Sequence, residues 1–154
     1  ASTDSDGPIG ARKSAANPAA SGLYPRIDVK TSRWWVTASS SVVKAPFSRE
    51  DAVDPEELLV ASLSTCHMLW FLDFARRAGF VVDAYEDRAA GVMGKDDRGR
   101  IAVTQVKLNP FIAWGGEKQP APEEVRELHH KSHEACFIAS SFRGDVAIAE
   151  GEAH

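Results

Sequence analysis

Two cysteines, Cys66 and Cys136, and a run of histidines in HHKSHEAC (His129, His130, His133) are the side chains with the most chemical scope. Thiols do two kinds of work: nucleophilic redox chemistry as thiolates, and metal ligation beside imidazoles. Each cysteine also has a plain structural reading, because free cysteine is among the most buried residue types. The two stand 136 − 66 = 70 positions apart. That spacing is silent on contact, although two helices packed on one sheet would bring them together. His129 and His133 share a helix face at i,i+4. With Cys136 three positions beyond His133, they outline a metal site. The simpler reading is a half-exposed polar face, since the chain has no HExxH pattern and no second ligand cluster. His67 follows Cys66 directly, but neighbouring helical residues point about 100° apart, so it is not automatically a base for that thiol.

The composition bounds the rest. A chain of 154 residues with a formal charge of −4 suits one domain and has no basic footprint for nucleic acid. No hydrophobic leader or basic amphipathic helix stands out, so the expected location is the cytoplasm and no membrane partner is expected. Two cysteines in such a compartment are reduced or redox-active rather than a static staple. Residues 1–22 show no hydrophobic period and read as a polar tail, leaving 23–154 as a single domain.

Cys66 must be positioned by the stretch from Asp54 to Gly79. Asp54 is a good N-cap, Pro55 fits the first helical position, Glu56 and Glu57 suit the positive end of the dipole, and Gly79 follows the basic pair Arg76 and Arg77. A helix this apolar over most of its circumference belongs in a core, and its charged residues argue against a membrane span. Strands are expected over 24–29 and 34–43, with residues 30–33 as the turn between them, and a loop over 45–53. Further strands are expected over 81–93 and 101–108 about a KDDRGR hairpin. Pro110 ends the second of these or marks an edge, and 111–114 extends the sheet. A second helix opens at Pro122 and reaches His133 or Cys136. A short irregular or helical piece covers 136–142, and an edge strand closes the chain at 145–149. The order predicts an α+β fold: an antiparallel-rich sheet with a long central buried helix and a second helix. No glycine-rich phosphate loop follows a strand, and no cofactor is implied.

The run DPEELLVASLSTCHM resembles the central-helix signature of the OsmC/Ohr family of thiol-dependent organic hydroperoxide reductases, and LHHKSHEACFIASS resembles its second cysteine motif. GFVVDAYEDRAAGVM and IAVTQVKLNP are also similar to an OsmC-type chain, so the resemblance spans roughly residues 24–149. CHM and HHKSHEAC point to an OsmC-like subgroup. The resemblance implies an intertwined homodimer that defends against oxidative or osmotic stress by reducing organic hydroperoxides to alcohols. It makes Cys66 the peroxidatic thiol, Cys136 the resolving thiol, and Glu56 the carboxylate that orients an arginine near the thiolate. Arg49, in PFSRED, matches the OsmC branch; Arg33, at the expected hairpin tip, matches the Ohr branch; Arg26, in YPR, resembles a third. The reductant it implies is an external dithiol, often lipoyl-type in the family, with small thiols as the second option.

The chemistry agrees with those residue types. A thiolate, not a thiol, opens a peroxide bond, and a guanidinium stabilises a thiolate at any relevant pH. A sulfenic acid on Cys66 would condense with Cys136 to a disulfide and escape over-oxidation. Leu63, Met68, Trp70 and Phe71 offer apolar walls for an alkyl or aryl hydroperoxide. Ten helical residues place Glu56 roughly 15 Å along the axis from Cys66, so in a continuous helix Glu56 would serve the partner subunit's site. Two other readings stand beside the enzyme: a ligand-binding or redox-sensing protein with poorly reactive thiols, and a metal-binding protein using His129, His133 and Cys136.

Overall fold

The computed structural model describes residues 26–32, 36–38 and 53–149. Among these residues, six strands form one sheet: β1 (Arg26–Ser32), β2 (Val36–Ala38), β3 (Val81–Lys95), β4 (Ile101–Leu108), β5 (Pro110–Gly115) and β6 (Asp145–Ile148). Three helices accompany them: α1 (Pro55–Arg77), α2 (Pro122–Ala135) and α3 (Phe137–Ser141). The order across the sheet is β2-β1-β3-β4-β6, with β5 also paired to β3. The fold is α+β, and every pairing is antiparallel except that of β4 with β6.

α1 starts where its local chemistry says it should. The Glu57 carboxylate accepts the Asp54 backbone N–H at 2.8 Å, Pro55 occupies the first turn, and Gly79 leaves the helix at φ +80°. One 18-residue window of α1 is apolar enough to cross a bilayer by length and composition, contrary to the expectation that its charges interrupt it too often. Its position here is that of a core helix laid on the sheet. The N-terminal half (Val60, Ala61, Leu63) packs on Val29, Ala89, Met93, Val103, Val106 and Leu108. The C-terminal half (Met68, Phe71, Ala75) packs with Phe80, Tyr85 and, from α2, Leu128.

β3 is long enough to serve three partners. Its residues 86–92 pair with β1, its first half with β5 and its second half with β4. β4 and β5 are thus two pieces of one side of β3, parted at Asn109 and Pro110. Pro110 opens β5 rather than ending a strand. The KDDRGR turn is tied by Asp96, whose carboxylate accepts the backbone N–H of Arg98 at 2.9 Å and of Arg100 at 2.8 Å, while Gly99 takes φ +76°. The expected turn over residues 30–33 is corrected: β1 continues through Ser32. Its polar residues alternate as a half-buried strand does, with Thr31 fully buried and Lys30 paired to Glu86 at 2.9 Å. The strand expected over 34–43 is described only over Val36–Ala38.

One buried polar tie lies between the two halves of the core. Ser64 on α1 donates its hydroxyl to Asp87 on β3 at 2.6 Å, and the Asn109 backbone N–H donates to the other carboxylate oxygen at 2.6 Å. Both side chains are fully buried. Burial pushes the Asp87 carboxyl above the usual carboxylate range, and the bonds from Ser64 and Asn109 pull it part of the way back. Ser64→Ala should therefore destabilise the fold by about 1–3 kcal/mol, the cost of a buried acceptor left short of a donor. Urea unfolding at pH 7 measures this, and an unchanged midpoint would show that the tie contributes nothing.

Candidate functional site

Ser64 and Cys66 are two residues apart, which turns their side chains about 200° from each other on the helix. With Ser64 held against the sheet, Cys66 faces outward. It is half-buried and lines an open groove of about 510 Å³ with Leu69, Trp70, Asp73 and Arg77 of α1 and Phe137 of α3. The α1 members stand at i, i+3, i+4, i+7 and i+11, one stripe of the helix. The groove floor is aromatic, with the Trp70 ring edge-on to Phe137 at 5.7 Å and stacked on Phe74 at 5.5 Å. Its far end is charged: Asp73 binds Arg77 at 2.7 Å and Arg76 at 3.0 Å, which hold its carboxyl below the usual range.

Among the expected apolar walls, Trp70 is in the groove and the other three are not. Leu63, Met68 and Phe71 are buried in the core, because they lie on the parts of α1 turned to the sheet and to α2. Leu69 and Phe137, both exposed, supply the apolar surface instead. They were findable from the sequence as members of the Cys66 stripe and as the residue following Cys136.

Cys136 reaches the site from the other side. It ends α2 and starts α3, and its Sγ accepts the Ala139 N–H at 3.3 Å. Both cysteines are free, and Cys66 is among the groups that act on the Cys136 thiol. Cys136 is only 1% exposed. Its thiol is pushed up to about 11, first by burial and then by the neighbouring Cys66. At neutral pH it keeps its proton. The two sulfurs are adjacent yet unlike: one opens on a groove, the other is enclosed and protonated.

Beside them lies a contact the sequence did not announce. His67 Nε2 faces His129 Nδ1 at 3.0 Å, with the rings stacked at 5.3 Å and 9°. The His129 ring also lies 4.4 Å from that of Phe71. Burial lowers His67 to about 3, helped by His129 and His133, and lowers His129 to about 4. Both rings are neutral at pH 7. His67 Nδ1 is buried without a partner among the described residues, so the arrangement that strands no N–H there puts the His67 proton on Nε2, donated to His129. Among the described residues no three His, Cys, Asp or Glu side chains gather as a metal site. His129, read as part of a half-exposed polar face with a metal site beside His133 and Cys136 as the alternative, is bonded to His67.

Glu56 stays at the start of the unbroken α1, roughly 15 Å along its axis from Cys66. Its Oε2 is buried with no hydrogen-bond partner among the described residues. Arg49 and Arg33 lie outside the described residues, and of Arg26 only the backbone, at the start of β1, is described. A second depression, about 290 Å³, lies between Phe80 and the Glu123, Glu124 and Glu127 side of α2, away from both thiols.

An α+β fold with two neighbouring, unlike thiols is what the fold and site define. The OsmC-like protein family matches residues 48–150. The chain belongs to that family. An OsmC-like protein of unknown function from Vibrio cholerae is 41% identical, with a TM-score of 0.69 over 74% of this chain and 75% of that one. An organic hydroperoxide resistance protein from Elizabethkingia anophelis is 20% identical, with a TM-score of 0.53 over 82% and 93%. The organic hydroperoxide resistance protein OhrB of Bacillus subtilis is also 20% identical, with a TM-score of 0.50 over 79% and 93%. These two show a shared fold. No curated protein matches the chain.

The neutral histidine pair makes a signed prediction. Unfolded imidazoles take protons near pH 6.5, whereas the folded rings resist until about 3 and 4. Stability is therefore fully present above pH 6.5 and falls as the pH drops toward 4, by about 1.4 kcal/mol per pH unit for each proton withheld. Urea midpoints between pH 7 and 4 should show this slope. His67→Gln should reduce it, and an equal slope in that variant would assign the acid sensitivity elsewhere.

Proposed function

We propose that this protein is a two-cysteine peroxidase that reduces organic hydroperoxides to alcohols. The asymmetry of the adjacent thiols carries the reading. Cys66 opens on an apolar groove and is the sulfur a hydroperoxide can reach. Cys136, enclosed and protonated, is suited to wait for the second step. The Cys66 thiolate attacks the peroxide, the O–O bond breaks, a sulfenic acid forms, and the alkoxide leaves as alcohol after taking a proton. The Cys136 sulfur then attacks the Cys66 sulfur. The S–O bond breaks, water leaves with the Cys136 proton, and a disulfide remains. An external dithiol, lipoyl-type or a small thiol, returns the pair to thiols, a cycle at home in a reducing cytoplasm. The aromatic Trp70 and Phe137 with Leu69 favour an alkyl or aryl substrate over hydrogen peroxide.

The thiolate needs a nearby cation, and Arg49, with Arg33 next, is the proposed source. The buried Oε2 of Glu56, without a partner among the described residues, supports a role in gripping that guanidinium. Its distance from Cys66 along α1 supports doing so at the partner subunit's site in a homodimer. Sedimentation velocity should accordingly give a dimer, and a fully active monomer would refute shared sites.

The decisive experiment is a thiol count. The protein is reduced, freed of reductant and given one equivalent of cumene hydroperoxide, beside Cys66→Ser and Cys136→Ser. Rapid loss of both thiols in the parent is expected, with Cys136 remaining a thiol in Cys66→Ser and no disulfide within the subunit of either variant. Survival of both parent thiols for minutes would sink the peroxidase reading and favour a binding role.

A further inference from the structure

The His67–His129 pair has no part in the chemistry above, yet it is the hydrogen bond that joins α1 to α2 between described side chains. Its placement gives it leverage. His67 is next to Cys66 on α1. His129 lies seven residues before Cys136 on α2, which returns it to nearly the same face of that helix about 10 Å along the axis. A tilt of about 10° at the histidine contact would therefore carry Cys136 about 2 Å, enough to break sulfur-to-sulfur alignment.

The contact is built to resist such a tilt. His129 is held on two sides, by the hydrogen bond and stack with His67 and by the Phe71 ring at 4.4 Å. Phe71 stands one turn beyond His67 on α1, so both grips come from one helix. Ser132, the next inward polar residue of α2, turns its hydroxyl back to the Leu128 carbonyl at 2.6 Å and offers α1 nothing. The groups that shift the Cys136 thiol are Cys66 and backbone N–H groups, with no imidazole among them. The pair acts on geometry, not on the reactivity of the sulfur.

We propose that His67 and His129 are positioning residues for disulfide closure: the hydrogen bond between them sets where Cys136 stands relative to Cys66, and so the rate of the second step. The inference rests on the two-cysteine reading. The step it governs is condensation of the Cys66 sulfenic acid with the Cys136 thiol, in which the S–S bond forms, the S–O bond breaks and water leaves. The step it leaves alone is attack of Cys66 on the hydroperoxide.

The test compares the full-length parent with His129→Phe and His67→Gln. Phe keeps the aromatic contacts and removes the acceptor. Gln puts an N–H near the place of His67 Nε2–H and should restore the tie. Each reduced protein receives one equivalent of cumene hydroperoxide, and quenched samples are read by intact mass with and without dimedone. In His129→Phe, Cys66 oxidation should stay within about twofold of the parent. Disulfide closure should slow at least tenfold, so the dimedone adduct accumulates. His67→Gln should close within about threefold of the parent. Closure at the parent rate in His129→Phe overturns the proposal, as does an equal slowing of both steps.

A second measurement needs no peroxide: the effective concentration of the two thiols against glutathione redox buffers. If the parent thiols ignore cumene hydroperoxide but this concentration drops at least tenfold in His129→Phe, the peroxidase reading fails and the positioning role stands. If it is unchanged, the positioning role fails on its own account. Should His129→Phe not fold, as judged by circular dichroism, His67→Asn, too short to reach His129, carries the same two measurements.

Discussion

The hydrogen bond from Ser64 to Asp87 decides which way α1 faces. α1 is apolar around most of its girth, so hydrophobic burial alone would accept several rotations of it on the sheet. A buried carboxyl needs donors at fixed places, which singles out one rotation. Asp87 is fixed on β3, its second oxygen is engaged by the Asn109 N–H, and the hydroxyl of Ser64 fills the remaining direction. Once that face is set, Cys66, Leu69, Trp70, Asp73 and Arg77 are turned outward together. The cost is a carboxyl in apolar surroundings, which burial makes harder to ionise. A polar contact that contributes little net stability can still select one arrangement among near-equals, and a helix with an asymmetric site needs that selection.

The two thiols repeat the theme in a different register. They share one location but not one environment, because they arrive on different elements. Cys66 is in mid-helix, where its backbone groups are satisfied and its side chain is free to face the groove. Cys136 is at a junction, where its sulfur also caps the first turn of α3. The histidines between α1 and α2 are kept uncharged by burial, so the packing around the sulfurs includes polar groups without adding a fixed charge at neutral pH.

Much of this was legible in the chain, and the gaps have physical reasons. α1 was readable because its ends carry strong local signals in Asp54, Pro55 and Gly79, and β4 because Ile101 to Leu108 alternate and stop before a proline. The end of β1 was misread because Lys30, Thr31 and Ser32 are polar, and only pairing to β3 shows that Thr31 faces inward. The groove was half-readable: Trp70 was assigned to it, whereas Leu63, Met68 and Phe71 were misassigned, since a helix apolar on nearly every side does not reveal which side meets the sheet. The neighbour of His67 was unreadable. His129 is 62 positions away, and the i,i+4 pattern with His133 read as a half-exposed polar face, with a ligand face as the alternative. The pairing of Cys66 with Cys136 came from resemblance, not from spacing.

The reach of β3 has a consequence for how the chain comes together. Val29 of β1 meets Ala89 of β3, 60 positions later, with all of α1 in the intervening chain. Gln105 of β4 meets Asp145 of β6, 40 positions later, with α2 and α3 between. Among the described strands only the β1–β2 and β3–β4 hairpins are local, and β3–β4 lies in the middle of the sheet. Long closures lose entropy before any contact repays it, so assembly is expected to run from that hairpin outward, with the flanking strands arriving last. Cys136 sits in the second long excursion, and Cys66 in the first. The two sulfurs therefore become neighbours only when α1 and the junction of α2 with α3 have packed together, and a nascent chain would have its thiols apart until then.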